Sequence, residues 1–236
     1  ELMRFLSYIS NMAKNLDHLG IKSIVDSYDL FFIDLWGVVH NGIKLYDHSI
    51  EVLGNLTTAK KDFVLLTNAP RPNENVVNFL KKIGLKKYFE NVFTSGEAAH
   101  KYLVSEFDKQ NFFHIGPPRD FDLFKNIEKN NVLNIEDADY LLCTGLFDDH
   151  ENDLNYYKNL LSNHISKKMI CTNPDLIVDR GKKREYCAGS VAKSFEEIKG
   201  KVIYFGKPHP PVYNLSINVI NKKVLCIGDN LNTDIK

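Results

Sequence analysis

Four short segments each set a polar residue behind a run of apolar ones, and each polar residue is of a type that can handle a phosphoryl group. In FFIDLWGVVHNG, Asp34 follows three apolar residues and precedes Gly37. A carboxylate there can attack phosphorus and form a covalent intermediate, and Gly37 lets the chain turn tightly beside a ligand. In LLTNAP, the hydroxyl of Thr67 and the amide of Asn68 are donors that suit a phosphate oxygen, together with nearby backbone N–H groups. In YFGKPHP, Lys207 can neutralise both a nucleophilic carboxylate and a bound phosphate. In VLCIGDNLNTDI, Asp229 and Asp234 flank a polar loop. Magnesium takes oxygen ligands, usually with one or two carboxylates, and Asp229 with Asp34 would supply that pair. Each segment alone also reads as an ordinary turn or helix cap. Weight comes from the order Asp, Thr, Lys, Asp, each on its own strand end.

Those residues can meet only if the preceding strands lie side by side, since ligands of open α/β sheets bind outside the strands' carboxyl ends. The chain alternates accordingly. Residues 29 to 34 and 63 to 67 read as strands, HSIEVLGNLTTAK and PNENVVNFLKKIG as helices, NVFTSG as a short strand and EAAHKYLVSEF as a helix. This predicts an α/β fold with a Rossmann-like parallel sheet covered by helices. The rhythm restarts near Phe112 with FFHIG, a helical stretch through Phe124, YLLCTG, the YYKNLL helix, KKMICTNPD and the AKSFEEI helix. KVIYFGK and KVLCIGD then resemble the first set again. An inserted domain is therefore expected over 110–200, within a core formed by 1–109 and 201–236. GDNLNTDIK at the end leaves a strand for a loop of the kind that leads into another helix, so the natural chain is expected to run on.

Bulk composition sets the class. Apolar residues make up 44% and charged residues 25% of 236, which suits a globular chain with a sizeable core. Lys plus Arg and Asp plus Glu both number 30, so no net charge argues for nucleic acid or an anionic membrane as partner. The basic cluster Lys182-Lys183-Arg184 reads as a solvated loop. Cys143, Cys171, Cys187 and Cys226 are scattered in or near apolar runs without a CxxC pair, so they read as reduced thiols in a cytoplasmic protein. No stretch approaches the ~20 apolar residues of a membrane span. Leu2, Phe5, Leu6, Ile9 and Met12 recur at helical spacing and predict an amphipathic N-terminal helix, without the unbroken apolar core of a signal peptide.

Taken in order, the four segments resemble the motifs of the haloacid-dehalogenase (HAD) superfamily, and the resemblance spans nearly the whole chain. The long insertion, with CTNPD, CAGSVAKSFEEI and GKPHP, is similar to the class IIA branch, which includes nitrophenylphosphatase-like and nucleotide- or sugar-phosphate phosphatases. That resemblance implies a Mg2+-dependent hydrolase acting on a small phosphorylated substrate. It makes Asp34 the nucleophile and a metal ligand, the backbone carbonyl of Trp36 a second ligand and Asp229 the third. Thr67 and Lys207 would hold the phosphoryl group, and Asp234 would support the metal loop and Lys207. Asn68, Asn173 and Asp175 would face the substrate, the last two from a loop of a mobile α/β cap. A homodimer would also fit this branch.

One position departs from the pattern. Phosphatases of the superfamily carry a second aspartate two residues after the nucleophile, which protonates the leaving oxygen and then activates water. This chain has Trp36 there, and an indole offers only an N–H donor. A positioned acid–base group contributes ~10²–10⁴-fold, which is roughly 3–5 kcal/mol of barrier. Three readings follow: a phosphatase that is slow or selective for activated esters, a phosphoryl-ligand binding or regulatory protein, and a dehalogenase-type hydrolase. Dehalogenases carry an aromatic residue at this position, but the large insertion and the metal-like aspartate loop argue against them. His40 and His209 are candidate replacement acids.

Overall fold

The computed structural model describes residue 16, residues 19–180 and residues 183–235. The expected N-terminal amphipathic helix and Lys182 lie outside the described residues. Two parallel sheets organise the rest, and their order explains which loops meet.

The first sheet has the order β11-β1-β2-β3, with β1 at Leu30–Asp34, β2 at Asp62–Thr67, β3 at Val92–Thr94 and β11 at Val224–Ile227. All five residues of β1 are buried, because this inner strand is covered on both faces. Phe31 and Ile33 point into one apolar cluster, while Leu30 and Phe32 alternate into another. Helices α1 (Asp47–Thr58) and α2 (Asn73–Lys82) close the first face with Leu53, Leu56 and Leu80. Helix α3 (Ser95–Glu106) closes the second with Ala98, Ala99 and Leu103. Thr94 starts α3 by accepting the Glu97 N–H at 2.9 Å, while Glu97 accepts the Asn73 N–H at 3.2 Å. One helix start is thereby tied to another.

A second parallel sheet has the order β10-β7-β6-β4-β5. Its strands are β4 (Phe112–Ile115), β5 (Asn131–Val132), β6 (Tyr140–Cys143), β7 (Lys168–Cys171) and β10 (Lys201–Tyr204). Helices α4 (Leu154–Leu161) and α5 (Ala188–Glu197) cover one face through Tyr157, Leu161, Val191 and Phe195. The other face, with Phe112, Tyr140, Leu142 and Ile170, shares an apolar cluster with α3 and the first sheet. An antiparallel hairpin, β8 (Ile177–Arg180) and β9 (Lys183–Tyr186), links β7 to α5. A short helix, α6 (Pro210–Ser216), buries Val212 on the return to β11.

Two expectations need correction. Lys201–Tyr204 was expected to rejoin the core sheet, yet it pairs with Lys168–Cys171 in the second sheet. The apolar runs KVIYFG and KVLCIG look alike, and only their neighbours differ: Val202 and Tyr204 pack with α5, whereas Ile203 faces the shared cluster. The chain changes sheets after Tyr204, not at residue 200. The helical stretch expected through Phe124 is a 3-10 helix, Pro118–Phe124. No helix of the described residues is long and apolar enough to cross a membrane, and no disulfide joins the four cysteines.

Candidate active site

Strand register brings the first pieces together. Ile33 pairs with Ile227 and Asp34 with Leu66. Thr67, the last residue of β2, and Gly228-Asp229, which follow β11, therefore emerge on either side of Asp34. Lys207 arrives from the other sheet. Phe205 donates its N–H to the Cys171 carbonyl at 2.8 Å, a last ladder bond to β7 two residues before Lys207.

Lys207 is buried, and its Nζ donates to Oδ1 of Asp34 at 2.5 Å and to Oδ1 of Asp234 at 2.5 Å. Burial alone would push the Lys207 ammonium down, but the two carboxylates outweigh it and hold its pKa above the ordinary value. Burial pushes the Asp34 carboxyl up to about 6, with Lys207 pulling against it. The arrangement is a cation seated between two acids.

Asn68 locks this lysine in place. Its Oδ1 accepts the Lys207 N–H at 2.7 Å, and its Nδ2 donates to the Lys207 carbonyl at 3.1 Å and to Oδ1 of Asp175 at 2.9 Å. Asn173 accepts the Asp175 N–H at 3.0 Å and so shapes the same loop. Asn68 and Asn173, expected to face the substrate, both line the cleft, and the bonds just named also tie them to neighbouring loops. Buried amides need such partners, and here they hold three loops in register. Burial raises the pKa of the Asp175 carboxyl, with the Asn68 amide opposing it.

Asp234 supports from below. Its Oδ2 accepts the Asn230 N–H at 3.1 Å while Oδ1 is held by Lys207. Asp229 is exposed and lies hard against Gly37. Gly37 has φ +81°, and a Cβ there would sit 2.0 Å from Oδ2 of Asp229. Asp34, Asp229 and Asp234 each present an oxygen, all within 4.8 Å of one another. An all-oxygen set of that span fits one hard cation, since opposite ligands of an octahedral magnesium are about 4.2 Å apart.

Asp34, Trp36, Thr67, Asn68, Asn173, Asp175, Lys207, Asp229 and Asp234 all line one cleft of about 1690 Å³. The Thr67 hydroxyl accepts the Ala69 N–H at 3.3 Å and keeps its own proton to donate. Trp36 lies in the cleft with 44% of its surface exposed.

Neither histidine is placed as a ready acid. His40 is buried under Trp36, accepts the Gly42 N–H on Nδ1 at 2.9 Å and has its pKa lowered by burial, so it is a neutral packing element. His209 stacks on Tyr204 at 4.6 Å and is not among the cleft residues.

Sequence reasoning missed part of the cleft wall. Arg71 reaches Asp120 at 3.3 Å, joining the loop after β2 to the Pro118–Phe124 helix. Arg71 could have been noticed beside Thr67 and Asn68; nothing near Asp120 marked it. The hairpin residues Ile177 and Tyr186 also line the cleft, although IVDRGKKREY had been read only for its basic cluster.

Residues 31–128 match the family model of haloacid dehalogenase-like hydrolases. The crystal structure of a haloacid dehalogenase-like hydrolase from Brucella suis 1330 has a TM-score of 0.80 and 31% identity, covering 91% of this chain and 86% of that one. A 5'-nucleotidase of Bacillus subtilis is 23% identical over 218 residues, 89% of this chain and 82% of its own. Phosphoglycolate phosphatase 1A of Arabidopsis thaliana is 26% identical over 247 residues, 90% of this chain and 66% of its own. With its strand-end aspartates, buried lysine and inserted second sheet, this chain belongs to the haloacid dehalogenase-like hydrolases.

Proposed function

We propose that this chain is a magnesium-dependent phosphatase that hydrolyses a small phosphorylated metabolite through an aspartyl-phosphate at Asp34. The observation that carries this reading is the Lys207 ammonium held between Asp34 and Asp234, with Asp229 within reach of both carboxylates. The similarity to a nucleotidase and to phosphoglycolate phosphatases supports the same reaction class.

In this reading a carboxylate oxygen of Asp34 attacks phosphorus, and the bond to the leaving oxygen breaks. Lys207 and the Thr67 hydroxyl hold the phosphoryl oxygens, so the work is positioning and charge neutralisation. Water then attacks the aspartyl-phosphate and frees inorganic phosphate. Oxygens of Asp34 and Asp229 and the backbone carbonyl of Trp36 would hold magnesium, which when bound offsets phosphate charge. Asn68 and Asp234 position Lys207. The unit carrying the second sheet acts as a cap, contributing Asp175 to the cleft. Trp36 supplies no proton, so simple alkyl esters should turn over slowly. Cysteines without a disulfide suit a reducing compartment such as the cytoplasm.

A second reading, a phosphoryl-ligand binding or regulatory protein, is favoured by the same indole at the acid's position. The test is phosphate release across a panel of phosphorylated metabolites, with and without magnesium, in wild type and Asp34→Asn. Metal-dependent release that vanishes in the variant is expected. Tight metal-dependent binding without release would select the second reading. Turnover retained in Asp34→Asn would remove Asp34 as nucleophile, and halide release without metal would point to a dehalogenase.

A further inference from the structure

We propose that Trp36 is a binding platform for a flat unsaturated group, so that the site takes phosphate monoesters whose bridging oxygen is attached to an aryl or enol carbon. This deepens the phosphatase reading and rests on it.

Exposure of one aromatic residue is unremarkable by itself. What sets Trp36 apart is how firmly it is held while exposed. The far edge of its six-membered ring rests on Gly42, where a Cβ would lie 2.5 Å from Cη2. The turn beneath it is tied by the Gly37 N–H to the His40 carbonyl at 2.8 Å and the His40 N–H to the Leu35 carbonyl at 3.0 Å. The His40 ring meets the indole edge-on at 5.5 Å and is backed by Phe79 at 5.3 Å. An indole fixed in this way loses little freedom when a ligand covers it.

The hairpin brings a second apolar contribution to the same cleft. Ile177 and Tyr186 are cross-strand partners at its base, 43% and 41% exposed. Trp36, Ile177 and Tyr186 are thus exposed apolar side chains of the same cleft that holds Asp34, Thr67 and Lys207, and apolar walls with a few polar groups are the usual make-up of a pocket for an organic group with a charged handle.

Leaving-group chemistry points the same way. Trp36 cannot donate the proton that an alkoxide needs. A phenolic oxygen, with a pKa of about 10, leaves far more readily unprotonated than an alkoxide, for which water at ~15.7 is a guide. One residue thus removes the acid and adds a π surface, and both changes favour an oxygen on unsaturated carbon.

Trp36 is the single tryptophan of the chain, so its emission reads occupancy of this spot directly. With magnesium present, phenylphosphonate and methylphosphonate serve as non-hydrolysable probes. Phenylphosphonate is expected to change the emission and saturate. Methylphosphonate should compete with it, bind about 3- to 10-fold more weakly and change the emission little, as an aromatic contact implies. Trp36→Leu should erase that preference, raising KM for phenyl phosphate relative to that for methyl phosphate by the same factor, and Trp36→Phe should keep most of it. Equal affinity for the two probes, no emission change up to millimolar phenylphosphonate, or equal losses on both esters in Trp36→Leu would each overturn the proposal. Phenylphosphonate binding at Trp36 without phosphate release from any ester would instead sink the phosphatase reading and leave the platform standing.

Discussion

Nζ of Lys207 lies 2.5 Å from Oδ1 of Asp34, although 173 positions separate the two residues in the chain and they hang from different sheets. Asp234 meets the same ammonium from the loop after β11. The site is therefore also a structural joint, and its chemistry and its stability can be probed with the same variants.

Removing the cation leaves two buried carboxylates without their partner. Breaking a buried ion pair from one side costs about 3–5 kcal/mol, while removing all of its charges costs much less. In metal-free buffer, Lys207→Met should lower the free energy of urea unfolding by about that amount. The triple variant Asp34→Asn/Asp234→Asn/Lys207→Met should recover most of it. A Lys207→Met protein as stable as wild type would mean that the joint carries no strain of charge.

Gly37 and Gly20 both have a left-handed backbone, with φ +81° and +59°, but only Gly37 faces a close neighbour. An alanine at either should cost about 1 kcal/mol or somewhat more from backbone strain. Gly37→Ala should in addition push Asp229 aside and weaken magnesium binding at least about tenfold, which is about 1.4 kcal/mol. Calorimetric titration with magnesium would check this. Equal metal affinity in the two variants would exclude Asp229 as a ligand.

Asn68 makes three hydrogen bonds that join the loop after β2 to Lys207 and Asp175. Asn68→Ala should destabilise the protein by about 2–3 kcal/mol, at roughly 1 kcal/mol for each lost bond. Phosphate release should fall with it, through kcat, because Lys207 loses its backbone anchor. If KM rose and kcat held, Asn68 would instead be a substrate contact, as the sequence first suggested.

His114 is buried beside Thr144, 2.8 Å away, and its pKa is pushed down to about 4 by that burial. The unfolded chain titrates this residue near 6.5. Above that pH both states hold it neutral and it adds no pH dependence. As pH falls from about 6.5 to about 4, only the unfolded state gains the proton, so stability drops, by up to about 3 kcal/mol. Unfolding midpoints measured between pH 7 and pH 5 should show this slope in wild type and a flatter one in His114→Gln. Identical slopes would put the pH dependence elsewhere.

Much of the site was legible in the sequence because each participant stands at the end of an apolar run. A buried parallel strand is written as such a run, and a polar residue after it has few places to go except the ligand edge of the sheet. Asp34, Thr67, Lys207 and Asp229 are all marked in this way, and each lines the one cleft. What tertiary structure alone decided is which strand joins which sheet and which side chain answers which. Lys201–Tyr204 and Val224–Ile227 look alike as strings, and hydrogen-bonded neighbours divide them between two sheets. That the Asn68 amide bridges Lys207 and Asp175 could not be read from its place beside Thr67. His40 looked like a spare acid until burial beneath Trp36 made it a neutral prop. Local periodicity encodes burial and chain direction, but partner choice depends on contacts between residues far apart in the chain, which no local pattern carries.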